Sequence, residues 1–213
     1  FTSNPHHIMS LIVGPQTLSD GQAGLSRMGK AGEAVVQNLH GYYYEACKRG
    51  AVFGGSIVGQ VTTVGLATTY TGLCLSNPIT SSVDLVILKA GYAHLVAFTA
   101  ASALGLMTGY NATTNVTHTT PVTVRSQKFV GSTGTGSGLL DSAATLPTAP
   151  TLNVLFGSGL TGAITTAQQA VGSFVDIDGT IILPPGAYCA FYTSTASGTA
   201  SSAFSLTWEE VAV

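Results

Sequence analysis

Charged side chains are the scarcest feature of this sequence. The 213 residues include seven Lys and Arg and nine Asp and Glu, so charge makes up 8% of the chain against about 25% of an average soluble domain. Disordered chains combine low hydrophobicity with high net charge, whereas here 45% of the residues are hydrophobic and the net charge is −2. The chain is therefore expected to fold.

Because interface cores are depleted of charge, we also expect part of its surface to be covered by other subunits; a secreted β domain with a hydroxyl-rich surface is the alternative.

Two further absences bear on partners. Seven cations in the whole chain give no basic patch for nucleic acid or anionic lipid. No run approaches the roughly 18 uninterrupted apolar residues of a transmembrane helix. We therefore expect no direct nucleic-acid partner and no membrane partner.

Cysteine is also rare. Cys47, Cys74 and Cys189 are odd in number, far apart in the chain and show no C-x-x-C spacing, which argues against a disulfide framework and against a zinc site. The pattern predicts three reduced thiols, as in a protein assembled in a cytoplasm.

Catalytic motifs are missing as well. The chain has no G-x-S-x-G elbow, and the Gly-rich stretch 131–138 lacks the Lys-Ser/Thr that follows in a phosphate-binding loop. Asp176 and Asp178, at i and i+2, have the spacing to coordinate Ca²⁺, but solvated acids beside a turn are the commoner outcome. A cupin-type metal site needs clustered His and carboxylate ligands, which His94 and His118 alone do not supply. The sequence predicts no enzyme, no cofactor and no metal.

The charges divide the chain into two unlike parts. Residues 20–49 hold seven charged side chains, and the other 183 residues hold nine. Within residues 1–50, Gly29, Gly32 and Gly41 interrupt any helical period, so at most short helical or strand pieces are expected there. We predict an N-terminal arm or docking segment at 1–50 and a β domain at 51–213.

The β domain is predicted from short segments rich in Val, Ile, Thr, Phe and Tyr that alternate with turn residues. Two stretches, Asn111–Pro121 and Gly131–Pro150, are interpreted as loops because of their low complexity. Strands are expected near 52–64, 69–76, 83–93, 94–99, 122–130, 151–156, 173–177, 180–183, 187–193 and 203–211.

The closing segment alternates most strictly. Phe204, Leu206 and Trp208 fall on one face, which predicts a core-facing side, and the residues between them fall on the other. Glu209 and Glu210 point opposite ways and are expected to end the sheet or to pair with a neighbouring subunit. Without crossover helices a parallel sheet is excluded, which leaves a sandwich, a jelly roll or an up-and-down barrel. We predict an all-β, antiparallel jelly-roll or β-sandwich fold preceded by an extended N-terminal arm.

Two stretches of the sequence resemble a known class of protein. Ser26–Phe53 contains GKAGEAVVQNLHGYYYEACKRGAVF, and Gly179–Val211 contains an LPPG turn and a last strand ending in Trp-Glu. Both resemble the small jelly-roll virion proteins of tailed bacteriophage capsids and tails. The two stretches cover about 60 of the 213 residues, and the resemblance brings no catalytic residues.

The resemblance implies a homotrimeric capsid decoration, or cement, protein that stabilises the phage head by binding between capsomers. The expected partners are further copies of the chain and the major capsid protein or another virion protein, and the expected location is the virion, assembled in the host cytoplasm. A tail or fibre component with a receptor- or glycan-binding β domain, and a shell-forming capsid protein, are the alternatives. Docking or inter-subunit contacts are predicted for Arg27, Lys30, Glu33, Tyr42, Tyr43, Tyr44 and Glu45. For the three tyrosines, burial in the protein's own core is the alternative interpretation.

Overall fold

The computed structural model describes residues 40–95, 102–128, 134–159, 172–197 and 202–213, without the side chains of 159, 172 and 173. Residues 1–39, most of the predicted arm, lie outside the described part. The chain divides after Tyr44, and the unit Glu45–Val213 contains the β domain.

The described part holds one short helix and eleven strands, and no helix in it is long and apolar enough to cross a membrane. The elements are α1 Tyr44–Arg49, β1 Val52–Gln60, β2 Thr69–Ser76, β3 Val83–His94, β4 Ser102–Tyr110, β5 Thr117–Val122, β6 Arg125–Ser126, β7 Leu139–Thr145, β8 Thr151–Gly159, β9 Gly172–Leu183, β10 Ala187–Thr193 and β11 Ser202–Ala212.

The strands form two antiparallel sheets. Sheet one has the order β6-β1-β11-β3-β9, and sheet two has the order β5-β7-β2-β10-β4-β8. β1 pairs with β11, β2 with β10, β3 with β9 and β4 with β8, so the first half of the domain pairs with the second half in reverse order. These pairings describe one long antiparallel hairpin. The hairpin is rolled up into two sheets, because β11 also pairs with β3 and β10 with β4. The predicted all-β antiparallel sandwich is confirmed, and its strand order is that of a jelly roll.

Strands β5, β6 and β7 are an insertion between β4 and β8. β7 pairs with β2 and β5 with β7, which widens sheet two, and β6 pairs with β1. The loops predicted at Asn111–Pro121 and Gly131–Pro150 are therefore wrong over β5 and β7. β5 has only exposed or half-exposed side chains, and in β7 two adjacent leucines are followed by small or polar residues, so neither carries the apolar alternation that marks a strand in sequence.

The main core lies between the two sheets. Phe204, Leu206 and Trp208 project from β11 into this core, as their alternation predicts, and all three are buried. Phe204 stacks on Phe191 of the opposite sheet with 4.4 Å between ring centroids. Since β11 lies between β1 and β3, its apolar face occupies the middle of the sandwich.

A second, smaller core covers the outer face of sheet two. It contains Tyr70, Met107 and Tyr188. The Tyr70 hydroxyl donates to the Phe191 carbonyl at 2.8 Å, and the Tyr188 hydroxyl donates to the Thr148 carbonyl at 2.6 Å. Because buried hydroxyls are costly without a partner, the first bond holds the Tyr70 ring against β10 and the second fixes the loop that contains Thr148 onto sheet two.

The Glu210 carboxylate closes one end of the main core. It accepts hydrogen bonds from the Ser137 and Gly138 backbone N–H groups at 2.9 Å each and from the Trp208 indole at 3.3 Å. A Cβ at Gly138 would lie 3.0 Å from the indole nitrogen, so glycine permits this close approach. Glu210 is thus bonded within its own chain, while Glu209 lies 3.7 Å from the exposed Arg49.

We expect Glu210→Ala to lower the free energy of unfolding by about 2 to 4 kcal/mol, because two backbone donors and the indole lose a charged acceptor. Glu209→Ala is the matched control and should cost under about 1 kcal/mol, since an exposed ion pair contributes little. Urea denaturation followed by the fluorescence of the single tryptophan measures both values. Equal losses in the two variants would contradict this role of Glu210.

Candidate functional site

The predicted docking residues are described only in part. Arg27, Lys30 and Glu33 lie outside the described residues. Tyr42, Tyr43, Tyr44 and Glu45 lie just before and at the start of α1. Their assignment to docking stays a prediction.

The tyrosines form an exposed aromatic surface. Tyr42 is 88% exposed and meets Tyr43 edge to face with 4.9 Å between centroids. Tyr44, also exposed, stacks on His40 at 3.9 Å. Tyrosine provides large contact area at a low entropy cost and is enriched in interfaces, so this surface is chemically suited to binding another protein.

The outer face of sheet one has a groove of about 420 Å³. Ser56, Ser205, Gly91 and Phe174 are paired across four neighbouring strands and form one row. Ala203 and Ala93 form the next row. We call this surface the sheet-one groove; its lining also includes Val58 and, within the described part of the chain, no charged side chain.

Two large apolar side chains flank the sheet-one groove. Val58 on β1 is 79% exposed and Phe174 on β9 is 61% exposed. A Cβ at Gly91 would lie 3.3 Å from the Phe174 ring, so the ring leans over the glycine. Lys89 Nζ lies 5.1 Å from the ring centroid and 3.2 Å from Asp176. The groove therefore has a floor of small residues and an aromatic wall with a fixed position.

The edge between β8 and β9 is the other apolar region. Leu152, Leu155 and Ile182 are exposed there, and a groove of about 430 Å³ runs past Tyr110 and Asn153. β8 has no charged residue and no proline, but two irregularities interrupt its pairing with β4. Such irregularities protect an edge strand from pairing with another chain, so we assign greater weight to the sheet-one groove.

Asp141 and His118 form a pair in which the carboxyl group is buried and the imidazole is partly exposed. Asp141 Oδ2 contacts His118 Nδ1, and the exposed fractions of the two side chains are 1% and 30%. Asp141 Oδ1 is buried and has no hydrogen-bond partner among the described residues. The pair joins β5 to β7 beside a small pocket of about 180 Å³ lined by Ser76, Asn77 and Asn115.

An aspartate that orients a histidine is also part of hydrolase sites, but the neighbouring nucleophiles are occupied here. The Ser76 and Ser142 hydroxyls donate to the Leu139 and Thr120 carbonyls. Burial, with smaller contributions from Cys189 and Asp141, raises the pKa of the Cys74 thiol well above its usual 9.0, so that thiol stays protonated. We interpret the pair as a structural link between β5 and β7.

The other aspartates and the cysteines singled out from the sequence have surroundings that a structural role explains. Asp176 forms the ion pair with Lys89, and Asp178 has a left-handed backbone with φ of 48°. No three His, Cys, Asp or Glu side chains converge on a metal position within the described ranges. Burial raises the pKa of Cys189 to about 12, and all three cysteines are free thiols.

Comparison with family models, with curated proteins and with solved structures gives no match to this chain. The relation to phage virion proteins therefore depends on the two sequence stretches given above.

His118→Ala should lower the free energy of unfolding by about 2 to 3 kcal/mol, because it leaves the buried Asp141 carboxylate without a partner. The double variant His118→Ala/Asp141→Asn should be more stable than the sum of the single losses predicts, with a coupling energy of about 1 to 3 kcal/mol. Urea denaturation of the four proteins completes the cycle. Additive losses would contradict a direct interaction.

Stability should also depend on His94, which packs edge to face on Tyr92 at 5.9 Å. Burial lowers the His94 pKa below its ordinary 6.5, so below pH 6.5 the unfolded chain binds more protons than the folded one. The resulting stabilisation is complete above pH 6.5 and is lost as pH falls through the folded-state pKa. The wild type should lose more stability between pH 7.5 and 5 than His94→Gln does, and identical pH slopes would rule out this contribution.

Proposed function

We propose that this protein is a homotrimeric decoration, or cement, protein of a tailed-phage virion, which binds between capsomers and stabilises the head. The observation that carries the proposal is an apolar, uncharged groove on the outer face of a completed jelly roll, flanked by Val58 and Phe174. Exposed apolar surface of this kind marks a site of protein contact. An uncharged contact surface is also what the low charge content of the chain predicts.

The asymmetry of the sandwich supports the same conclusion. The outer face of sheet two is partly covered by the chain's own loops around Tyr70 and Tyr188. The sheet-one groove has an apolar lining that is open to a partner. A structural protein requires such a contact surface and no reacting groups, which agrees with the occupied hydroxyls and protonated thiol near His118.

The exposed tyrosines supply a second contact surface within the predicted arm. In a trimer, three copies of Tyr42 and its neighbours would reach the particle together. Linked binding sites raise the effective concentration of each later contact, so weak individual docking contacts become strong in combination. Binding alone then stabilises the particle, without any catalysed reaction.

The tail or fibre alternative requires the β domain to bind a receptor or glycan. Phe174 offers one aromatic face for a sugar, but among the described residues that line the sheet-one groove the hydroxyl side chains are those of Ser56, Ser205 and Tyr92, and Tyr92 belongs to the main core. Ligand sites for polar molecules need several placed polar groups. The groove therefore favours a protein partner over a sugar, and the shell-forming alternative has no observation in its favour here.

The proposal is tested by cryo-electron microscopy of intact particles that contain this protein. We expect threefold density over junctions of the capsid lattice. Tyr42→Ser should reduce its occupancy on the particle at least tenfold, because the variant loses an exposed aromatic contact of the size that dominates interfaces. Tyr110→Ser, on an exposed tyrosine of β4, is the matched control and should keep full occupancy. Density found only at the tail or the fibre tips would replace the decoration role with a tail or receptor-binding role.

A further inference from the structure

We propose that the groove between β8 and β9, which runs past Tyr110 and Asn153, binds a neutral carbohydrate. We call it the edge groove, because β8 is the last strand of sheet two and β9 the last strand of sheet one. Residues of both sheets line it. The inference goes beyond the decoration role and does not depend on it.

Sheet two gives the edge groove its polar side. Thr108 on β4 and Thr151 and Asn153 on β8 bring two hydroxyls and one amide to the lining. Asn153 Nδ2 donates to Thr108 Oγ1 at 3.3 Å, and Thr151 Oγ1 donates to the Thr108 carbonyl at 3.4 Å. These bonds orient the three groups, and the amide still has its carbonyl oxygen and a second N–H to offer a ligand.

The apolar side of the edge groove comes mainly from sheet one. Ile182 on β9 is exposed, and Leu183 and Pro184 continue the apolar lining. Tyr110, at the end of β4, adds an exposed aromatic ring with a hydroxyl at its tip. A sugar ring has apolar C–H faces and a rim of hydroxyl groups, so it needs an apolar or aromatic surface beside neutral hydrogen-bonding groups.

Irregular backbone in both edge strands places polar side chains at the edge groove. Asn153 is the extra residue of a bulge in β8, because its two neighbours pair with successive residues of β4. In β9, residues 177–180 interrupt the pairing with β3, and Thr180 at the end of this interruption lines the groove. Asp178 within it has a left-handed backbone with φ of 48°. Bulges re-aim side chains and are common beside binding sites, and positive φ in residues other than glycine is concentrated at such sites.

The same features argue against other classes of occupant. An added peptide strand needs a regular edge for its ladder of hydrogen bonds, and both edges here are interrupted. Among the described residues that line the edge groove none is charged, so a phosphate or a carboxylate would find no counter-charge. A purely apolar ligand would cover the amide and hydroxyls without bonding to them, which is costly. The volume of about 430 Å³ lies in the range of about 300 to 1,000 Å³ that is typical of ligand sites.

The experiment measures binding of the full chain to an array of immobilised neutral glycans and their sialylated counterparts. We expect the wild type to bind neutral glycans, and Tyr110→Ser to reduce the bound signal about tenfold because the aromatic face is lost. Asn153→Ala should reduce it by a similar factor, whereas Tyr110→Phe keeps the ring and should retain most of the signal. Circular dichroism checks that every variant is folded.

Leu155→Ser is the matched control. Leu155 lies on β8 and is 57% exposed, as Tyr110 is, but it is not among the residues that line the edge groove. The bound signal of this variant should equal that of the wild type. An equal loss in Leu155→Ser and Tyr110→Ser would indicate adhesion through a generally apolar edge and would overturn the site.

The remaining outcomes are equally decisive. A wild type that binds no glycan on the array overturns the inference, and so does one that binds only the sialylated glycans. The decoration role is decided separately, because Tyr110→Ser should lose glycan binding and keep full occupancy on the particle, whereas Tyr42→Ser should do the reverse. A carbohydrate site is compatible with a position on the head or on the tail, so the particle images establish the location independently.

Discussion

The structure depends on the double pairing of the last strand. β11 pairs with β1 on one side and with β3 on the other along most of its length. A slip by one residue would turn Phe204, Leu206 and Trp208 from the core to the outside, so the burial of these side chains opposes such a slip. Two neighbouring features follow from this register: Glu210 comes within reach of Gly138, and Glu209 lies on the side of Arg49. The small outward residues of β11 become the floor of the groove for the same reason.

The two sheets differ in what covers their outer faces, so these two faces are not equivalent for binding a partner. Sheet two carries a second core in which tyrosine hydroxyls bond to backbone carbonyls, so part of its outer face is covered within the chain. On the other side, Val52 of β1 and Ala46 of α1 are buried but belong to neither core cluster. Partners are therefore expected at the sheet-one groove, in addition to the exposed tyrosines before α1.

The sequence predicts those parts of the fold whose side chains have a clear period. β2 and β10 have the predicted bounds, and the alternation of β11 identifies its core face. β4 was missed because SALGLMTGY contains two glycines and apolar residues on both faces, so it shows no alternation. β7 is held by pairing with β2, and β5 by pairing with β7, and the pairing with β2 is a contact over long sequence distance that local pattern does not contain. The Asp141–His118 pair could not be predicted for the same reason, since each residue lies in a stretch that looks like a loop.

The groove and the aromatic side chain beside it depend on one glycine. A strand interior normally disfavours glycine by roughly 0.5 to 1 kcal/mol relative to alanine. At Gly91, however, a Cβ would lie 2.5 Å from the Ser205 hydroxyl and 3.3 Å from the Phe174 ring. A Cβ at this position would clash with the Ser205 hydroxyl, crowd the Phe174 ring and raise the floor of the groove. The low floor and the position of the aromatic wall therefore depend on a single position in β3.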